Sequence, residues 1–431
     1  MKNFLSILLI MLMAFLVSCA EENNTNSEKV NSGNSETNNP VMERNLEMVA
    51  SGLLYNGRAY SDDGYYEIIS LSDIRNITYT DFASRKLMYL CSDITMDRDN
   101  PANTSYIPNV AGALTPIVTS KGLIIVSDIS DLYIKYTDEN ARSQIYISDY
   151  SGENRRVLYT LDALEWIMGT SGIVEDGENL YFIEYYLADE KPDEKNYLVS
   201  VSLKDGKKHT IMELDAKTYI IGAYDDNLIM KKRIFPDKEK LWYEQIRENY
   251  IYKYNPYTGD TEDIIFYKDA EQEVYFDDNK LLSLDFENRI LKINDLQDNT
   301  SDEIDLNNII DSKCSVSLLD GDVYDNRITL SVTYEDDNTD YLSVDITTKE
   351  WSYMNMYNGD SFCNIVAETE DEFMITNGEY EYSYDYYIED VLETLETYIP
   401  QFAMISKEDY WNNIPNFENI DYSMIYKNSK S

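Results

Sequence analysis

Histidine is almost missing from this chain. His209 is the only one in 431 residues, set in the polar stretch KKHT. A nucleophilic Ser or Cys needs a neighbouring base, usually His, so triad chemistry has at most one partner to draw on. His209 itself reads as a solvated strand residue beside two lysines. Glycine is scarce too, with 16 residues and neither a GxGxxG nor a P-loop pattern, which removes the phosphate-cradling loops. Basic residues are outnumbered, 36 against 80 acidic, for a net charge of −44. Nucleic acid is therefore excluded as a partner, because phosphate binding needs a basic stripe. The carboxylates are spread through turns and outward strand positions, which reads as a solvated acidic surface of a monomer.

Cysteine is rare as well. Four are present, Cys19, Cys91, Cys314 and Cys363, without CxxC or Cys/His spacing for zinc or redox chemistry. After Cys19 is set aside, three cannot pair completely. Buried thiols are the expectation, with a Cys314–Cys363 bridge as the one pairing left open. No metal site or other cofactor is expected. The acidic runs Asp277-Asp278-Asn279 and Asp336-Asp337-Asn338 offer oxygens for Ca²⁺, but they lack EF-hand spacing and already make sense as turns.

No apolar run is long enough to span a bilayer as a helix. The longest, Phe4 to Val17, follows Lys2 and precedes Ser18 and Cys19, which fits the core of a signal peptide. Leu16-Val17-Ser18-Cys19 resembles the lipobox of bacterial lipoproteins. That resemblance implies cleavage before Cys19, acylation of its thiol, and a protein held by lipid on the outer face of the cytoplasmic membrane. Two acyl chains give stable anchoring. Residues 20–45 are rich in Asn, Ser, Glu and Thr and poor in apolar side chains, so they read as a disordered tether.

What the chain has in quantity is short alternating apolar runs. In NYLVSVSL, Val199, Val201 and Leu203 alternate with Ser200 and Ser202, the period-2 pattern of a half-buried strand. Lys204-Asp205-Gly206 then marks a tight turn. The same unit of about four strands recurs. Leu123, Leu180, Leu228, Leu281, Ile328 and Phe373 occupy matching places, with gaps of 57, 48, 53, 47 and 45 residues. The mean lies near the roughly 40–50 residues of a propeller blade. A further unit precedes Leu123, making seven. Asp or Asn stands before the second strand of most units, where a hairpin turn belongs. The expectation is an all-β, seven-bladed β-propeller of four-stranded blades over residues 46–431, the alternative being six blades with an irregular cap. A ring leaves no open sheet edge. Two short helical insertions are also expected, Tyr386–Tyr398, with Val391, Leu392, Leu395 and Tyr398 on one face, and Leu241–Glu248.

IYISDYSGENRRVL, from Ile145 to Leu158, resembles the repeat of TolB-type propellers. With the lipobox, ITYTDFASRKLMYLC and MISKEDYW, the whole chain resembles propeller lipoproteins of low-GC Gram-positive bacteria. The resemblance implies a second Cys and a His after the first, but Ser92-Asp93-Ile94 stand here, so it places no metal or disulfide at that point. It implies no particular activity.

Four insertions, Asp131–Asp138, Leu187–Lys195, Ile234–Glu248 and Glu379–Ile399, all interrupt a second-to-third-strand connection, so a propeller would gather them on one face. They carry Tyr133, Tyr136, Trp242, Tyr243, Tyr386 and Tyr387, aromatics suited to stacking on a ligand. The leading expectation is a non-enzymatic module that binds protein, peptide or glycan there. The alternatives are a carboxylate-dependent hydrolase of a cell-envelope or extracellular polymer, which needs only two acidic side chains, and a structural protein of envelope assembly.

Overall fold

The computed structural model describes residues 45–425 apart from 53–57, 72–73, 92, 94, 109–111, 130–141, 188–193, 215–216, 238–245, 269–271, 278, 312, 320–322 and 389–390. These residues belong to one compact unit, Arg44–Ser431. The architecture is a ring of seven four-stranded antiparallel blades. Blade 3 is typical of the alternating pattern: Asn179–Leu187 pairs with Glu194–Ser202, which pairs with Lys208–Leu214. Blade 4 follows as Lys217–Tyr224, Asn227–Ile234, Glu248–Tyr254 and Thr261–Lys268.

The matching residues read from sequence sit at the same structural place. Leu123, Leu180, Leu228, Leu281, Ile328 and Phe373 lie at the start of the second strand of blades 2 to 7, and Tyr65 completes the set in blade 1. All seven are 1% exposed or less. Each lies in one of the apolar clusters packed between blades. Full burial of such a side chain is worth about 1.5–3 kcal/mol, and period-2 alternation gives every blade two faces to cover.

A second repeat lies in the turn between third and fourth strands. Asp81, Asn255, Asp295 and Asp345 begin this turn, and their side-chain oxygens accept backbone N–H groups two or three residues on: Ser84 at 2.6 Å, Tyr257 at 2.9 Å, Gln297 at 2.9 Å and Thr348 at 2.8 Å. Four residues later comes a positive φ, at Arg85, Gly259, Asn299 and Lys349. A short polar side chain that caps its own turn fixes the hairpin before distant contacts form.

The ring closes without exchanging a strand. Blade 1 (Arg58–Ser61, Gly64–Leu71, Ile74–Asp81, Lys86–Tyr89) and blade 7 (Ile365–Glu368, Glu372–Ile388, Val391–Ser406, Glu418–Asn419) are each built from consecutive sequence. The chain beyond blade 7 bonds to the outer strand of blade 1: the Asp421 amide donates to the Arg85 carbonyl at 2.7 Å, and the Leu87 amide donates to the Asp421 carbonyl at 3.0 Å. Arg85 reaches Glu372 at 2.6 Å and Glu418 at 3.1 Å. Ile420 and Ile425 bury themselves among Tyr65, Leu87, Met374 and Phe402.

The arm before blade 1 takes an unexpected course. Glu47–Ala50 pairs with the free edge of the first strand of blade 3, Ile173–Glu175, and lies against the first strands of blades 2 and 4. It therefore runs inside the ring. The Leu46 amide donates to the Asp225 carbonyl at 3.1 Å. Met48 packs on Gly172, where an added Cβ would meet its Cε at 2.3 Å.

The predicted helix over Tyr386–Tyr398 is corrected. Its residues form a long hairpin in which Tyr386 pairs with Glu393 and Tyr384 with Leu395. The aromatic alternation of EYEYSYDYYI suits a pleated ladder, and pairing overrides the helical spacing of Val391, Leu392 and Leu395. Of the second predicted helix, 241–245 lies outside the described residues, and Glu248 begins a strand. Among the described residues the one α-helix, Lys407–Trp411, is five residues long, and no helix is long and apolar enough to cross a membrane. Cys314 and Cys363 are both buried and unpaired, so the bridge left open in the sequence does not form.

Gly172→Val is expected to dislodge the arm, because a branched side chain cannot share the space of Met48. A loss of about 1–3 kcal/mol in urea unfolding is predicted; an unchanged midpoint would mean that the arm does not seat there.

Candidate active site

All four insertions do leave from second-to-third-strand connections, in blades 2, 3, 4 and 7, and so share one face of the ring. Of the aromatics expected to act there, Tyr133, Tyr136, Trp242 and Tyr243 lie outside the described residues, as does Cys19. Tyr386 and Tyr387 lie on the second strand of blade 7, opposite Glu393 and Leu392. His209 is exposed on the outer strand of blade 3, where it faces Ser200 across the ladder.

The distinctive chemistry lies in blade 3. Its first strand is split: Glu165–Ile167 pairs with Glu184–Tyr186, whereas Ile173–Glu175 pairs lower down the second strand. Residues 168–172 bridge the two pieces. Ser171 steadies this detour by accepting the Ile220 amide at 2.9 Å. The second strand sends Leu180, Phe182 and Glu184 to the same side, toward blade 2. Glu184 therefore continues an apolar row and is 1% exposed.

A carboxylate buried this far must be paired. Lys208 donates to Glu184 Oε2, and Tyr159, from the outer strand of blade 2, donates to Oε1 at 3.2 Å. The Lys208 ammonium also lies 3.5 Å from Glu165 Oε2. Two carboxylates thus share one ammonium. Burial pushes Glu184 above the ordinary carboxylate range, with the Glu165 charge adding to it and Lys208 only partly offsetting it. Burial opposes the charge on Lys208, but hydrogen bonds to Glu184 and Tyr159 outweigh that and hold it cationic above the usual lysine range. Glu165 and Lys208 keep 14% and 24% side-chain exposure, so solvent reaches the cluster from their side.

Trp166, next to Glu165, leaves the opposite face of the strand. It stacks on Tyr185 with ring centroids 4.4 Å apart. Together with Asn196, Lys217, Tyr219 and Asp128 these rings line a groove of about 320 Å³. Asn196 Oδ1 is buried there without a hydrogen-bond partner.

Sequence reading missed Glu165, Glu184 and Lys208. The signal was present in NLYFIEYYL, where one acidic residue interrupts the inward row of an otherwise apolar strand. The acidic runs weighed for calcium are used elsewhere: Asp277 accepts the Val323 amide at 2.9 Å, and Asp336 accepts the Asn338 side chain at 2.7 Å.

No known family profile matches the chain, and no curated protein does. Solved structures do. The chain is similar to a puromycin-hydrolyzing peptidase of Mycobacterium tuberculosis, at 10% identity and a TM-score of 0.49, over 88% of this chain and 55% of that one. It is similar to the acylaminoacyl peptidase of Pyrococcus horikoshii, at 10% identity and a TM-score of 0.49, over 91% and 55%. TolB from Acinetobacter baumannii matches at 10% identity and a TM-score of 0.32, over 82% and 77%. The propeller architecture and the TolB likeness thus have counterparts among solved structures. The chain spans just over half the length of the two peptidases. The expectation of a non-enzymatic binding module is corrected here on the carboxylate pair of blade 3, Glu184 and Glu165 around Lys208, which was not foreseen from sequence. At such identity the likeness speaks for the fold alone; a hydrolytic reading has to stand on this chain's own residues.

Removing one member of the pair strands the other. Lys208→Met is expected to cost about 3–5 kcal/mol by leaving Glu184 uncompensated. The double variant Glu184→Met/Lys208→Met should recover most of that loss. Additive losses in a double-mutant cycle would show that the two groups do not interact.

Proposed function

We propose that the chain is a carboxylate-dependent hydrolase of a cell-envelope or extracellular polymer, with Glu184 and Glu165 as its acidic pair. The observation that carries this reading is the buried Glu184 carboxyl, raised above its ordinary range beside a second carboxylate that solvent can reach. Acid catalysis at neutral pH needs a carboxyl kept protonated by its surroundings, and a partner kept ionised. In this scheme Glu184, which accepts from the Lys208 ammonium, takes its proton from that group and delivers it to the leaving oxygen. Glu165, nearer solvent, attacks the carbon or positions water. Both carboxyls lie beside one ammonium, that of Lys208, and paired carboxyls are what glycosidases use. A glycosidic bond is the favoured target. Tyr159 and Lys208 hold Glu184 in place.

The localisation that goes with this role rests on the lipobox, with Cys19 acylated and the protein tethered outside the cytoplasmic membrane. Labelled palmitate should enter the wild type in its bacterial host and fail to enter Cys19→Ala; a label retained in that variant would place the acyl chain elsewhere, and an unlabelled wild type would rule the anchor out.

The decisive assay is release of reducing ends from wall and extracellular polysaccharides, with peptide polymers as a parallel arm. Glu184→Gln and Glu165→Gln should each lower the rate by about 10²–10⁴-fold. Because Glu184 acts protonated, activity should fall as pH rises through its elevated pKa, and Glu184→Gln should abolish that limb. Activity that survives both substitutions, or no release from any polymer by the wild type, would refute the assignment.

A further inference from the structure

Net charge makes one seam of the ring anomalous. Acidic side chains outnumber basic ones 80 to 36, yet among the described residues Lys231 and Arg233 form no ion pair with any of them. They alternate with Ile229 on the second strand of blade 4, the face that Ile229, Ile251 and Val274 pack against blade 5. Among the described residues Lys231 makes no ion pair or hydrogen bond. Arg233 makes one hydrogen bond, from Nε to Asn249 Oδ1 at 3.3 Å, and lies 6.0 Å from the Tyr219 ring.

Cross-strand register brings a hydroxyl to the same place. Arg233 faces Asn249, and Asn249 faces Tyr267 on the outer strand. Directly opposed residues share a sheet face. Tyr267 is 8% exposed, and its hydroxyl has no partner. Arg247, at the foot of the third strand, adds a guanidinium that acts on Lys231. The acidic group on that side is Glu273, whose Oε2 already accepts the Leu318 amide of blade 6 at 2.9 Å. Burial and then the Arg233 charge push Lys231 down to about 8, with Glu273 only partly opposing them. Lys231 and Arg233 are half-buried, where two unpaired cations side by side are costly, and an idle buried hydroxyl adds to that cost. One anion would relieve all three groups at once.

We propose that the seam between blades 4 and 5 is an oxyanion site in which Lys231, Arg233 and the Tyr267 hydroxyl hold a carboxylate or phosphate group. The guanidinium supplies a planar pair of donors, the ammonium a point charge, and the phenol a neutral donor. The site is independent of the carboxylate pair in blade 3, and its ligand need not be the polymer cleaved there.

Calorimetric titration of the full chain with inorganic phosphate and, separately, with succinate tests it. One of the two should bind with a stoichiometry of one. Lys231→Met and Arg233→Met should each weaken binding about tenfold or more. Tyr267→Phe, which removes only the unpartnered hydroxyl and leaves the ring packed, should weaken it severalfold without lowering thermal stability. Preference for phosphate over succinate, or the reverse, identifies which oxyanion the site takes. Failure of both probes to bind, or equal binding by all three variants, would overturn the proposal.

Discussion

Each blade of this protein is a sheet with two apolar faces, and every other feature depends on both being covered. Alternation along the strands makes this unavoidable. In blade 3, Leu180 and Phe182 pack toward blade 2, whereas Tyr181 and Ile183 pack toward blade 4. A lone blade would leave one face wet, and an open stack would leave two terminal faces wet. The ring is the arrangement in which no blade is last. Its weak point is then the seam where the two ends of the chain meet. Here the seam is closed by apolar side chains of the C-terminal segment and by one arginine that reaches two glutamates, rather than by a shared strand.

The same rule explains why polar side chains in the seams attract interest. A position on an inward row is paid for in apolar contact, so a charged residue there must find partners or a ligand. Glu184 finds Lys208 and Tyr159. Lys231 finds nothing equivalent among the described residues. Both stand toward the face from which the insertions leave, where the apolar packing between blades gives way to polar groups. The split first strand of blade 3 belongs to the same region. Its detour lets Glu165 and Trp166 occupy the inner edge while the N-terminal arm takes the space beside Ile173–Glu175.

The ring was legible in the sequence because its determinants are local and repeated. An apolar residue at the head of each second strand, with Asp or Asn shortly before it in most blades, fixes register with little help from elsewhere. The hairpin of blade 7 was misread because Val391, Leu392 and Leu395 also satisfy helical spacing, and only the partner strand decides between the two. The arm could not be foreseen. Glu47–Ala50 is four residues of no special pattern, and its partner lies more than a hundred positions away. The candidate site was half visible. Glu184 breaks an apolar row in plain view, but that Lys208 and Tyr159 come from two different blades emerges only once the ring is built.

Closure by the C-terminal segment, without a shared strand, is the central claim, and native-state hydrogen exchange tests it most directly. The Leu87 amide, bonded to the Asp421 carbonyl across the seam, should exchange as slowly as amides in the middle of blades 3 and 4. Exchange of Leu87 and its neighbours at the rate of an open loop, with the other blades still protected, would show a ring that stands open between blades 7 and 1.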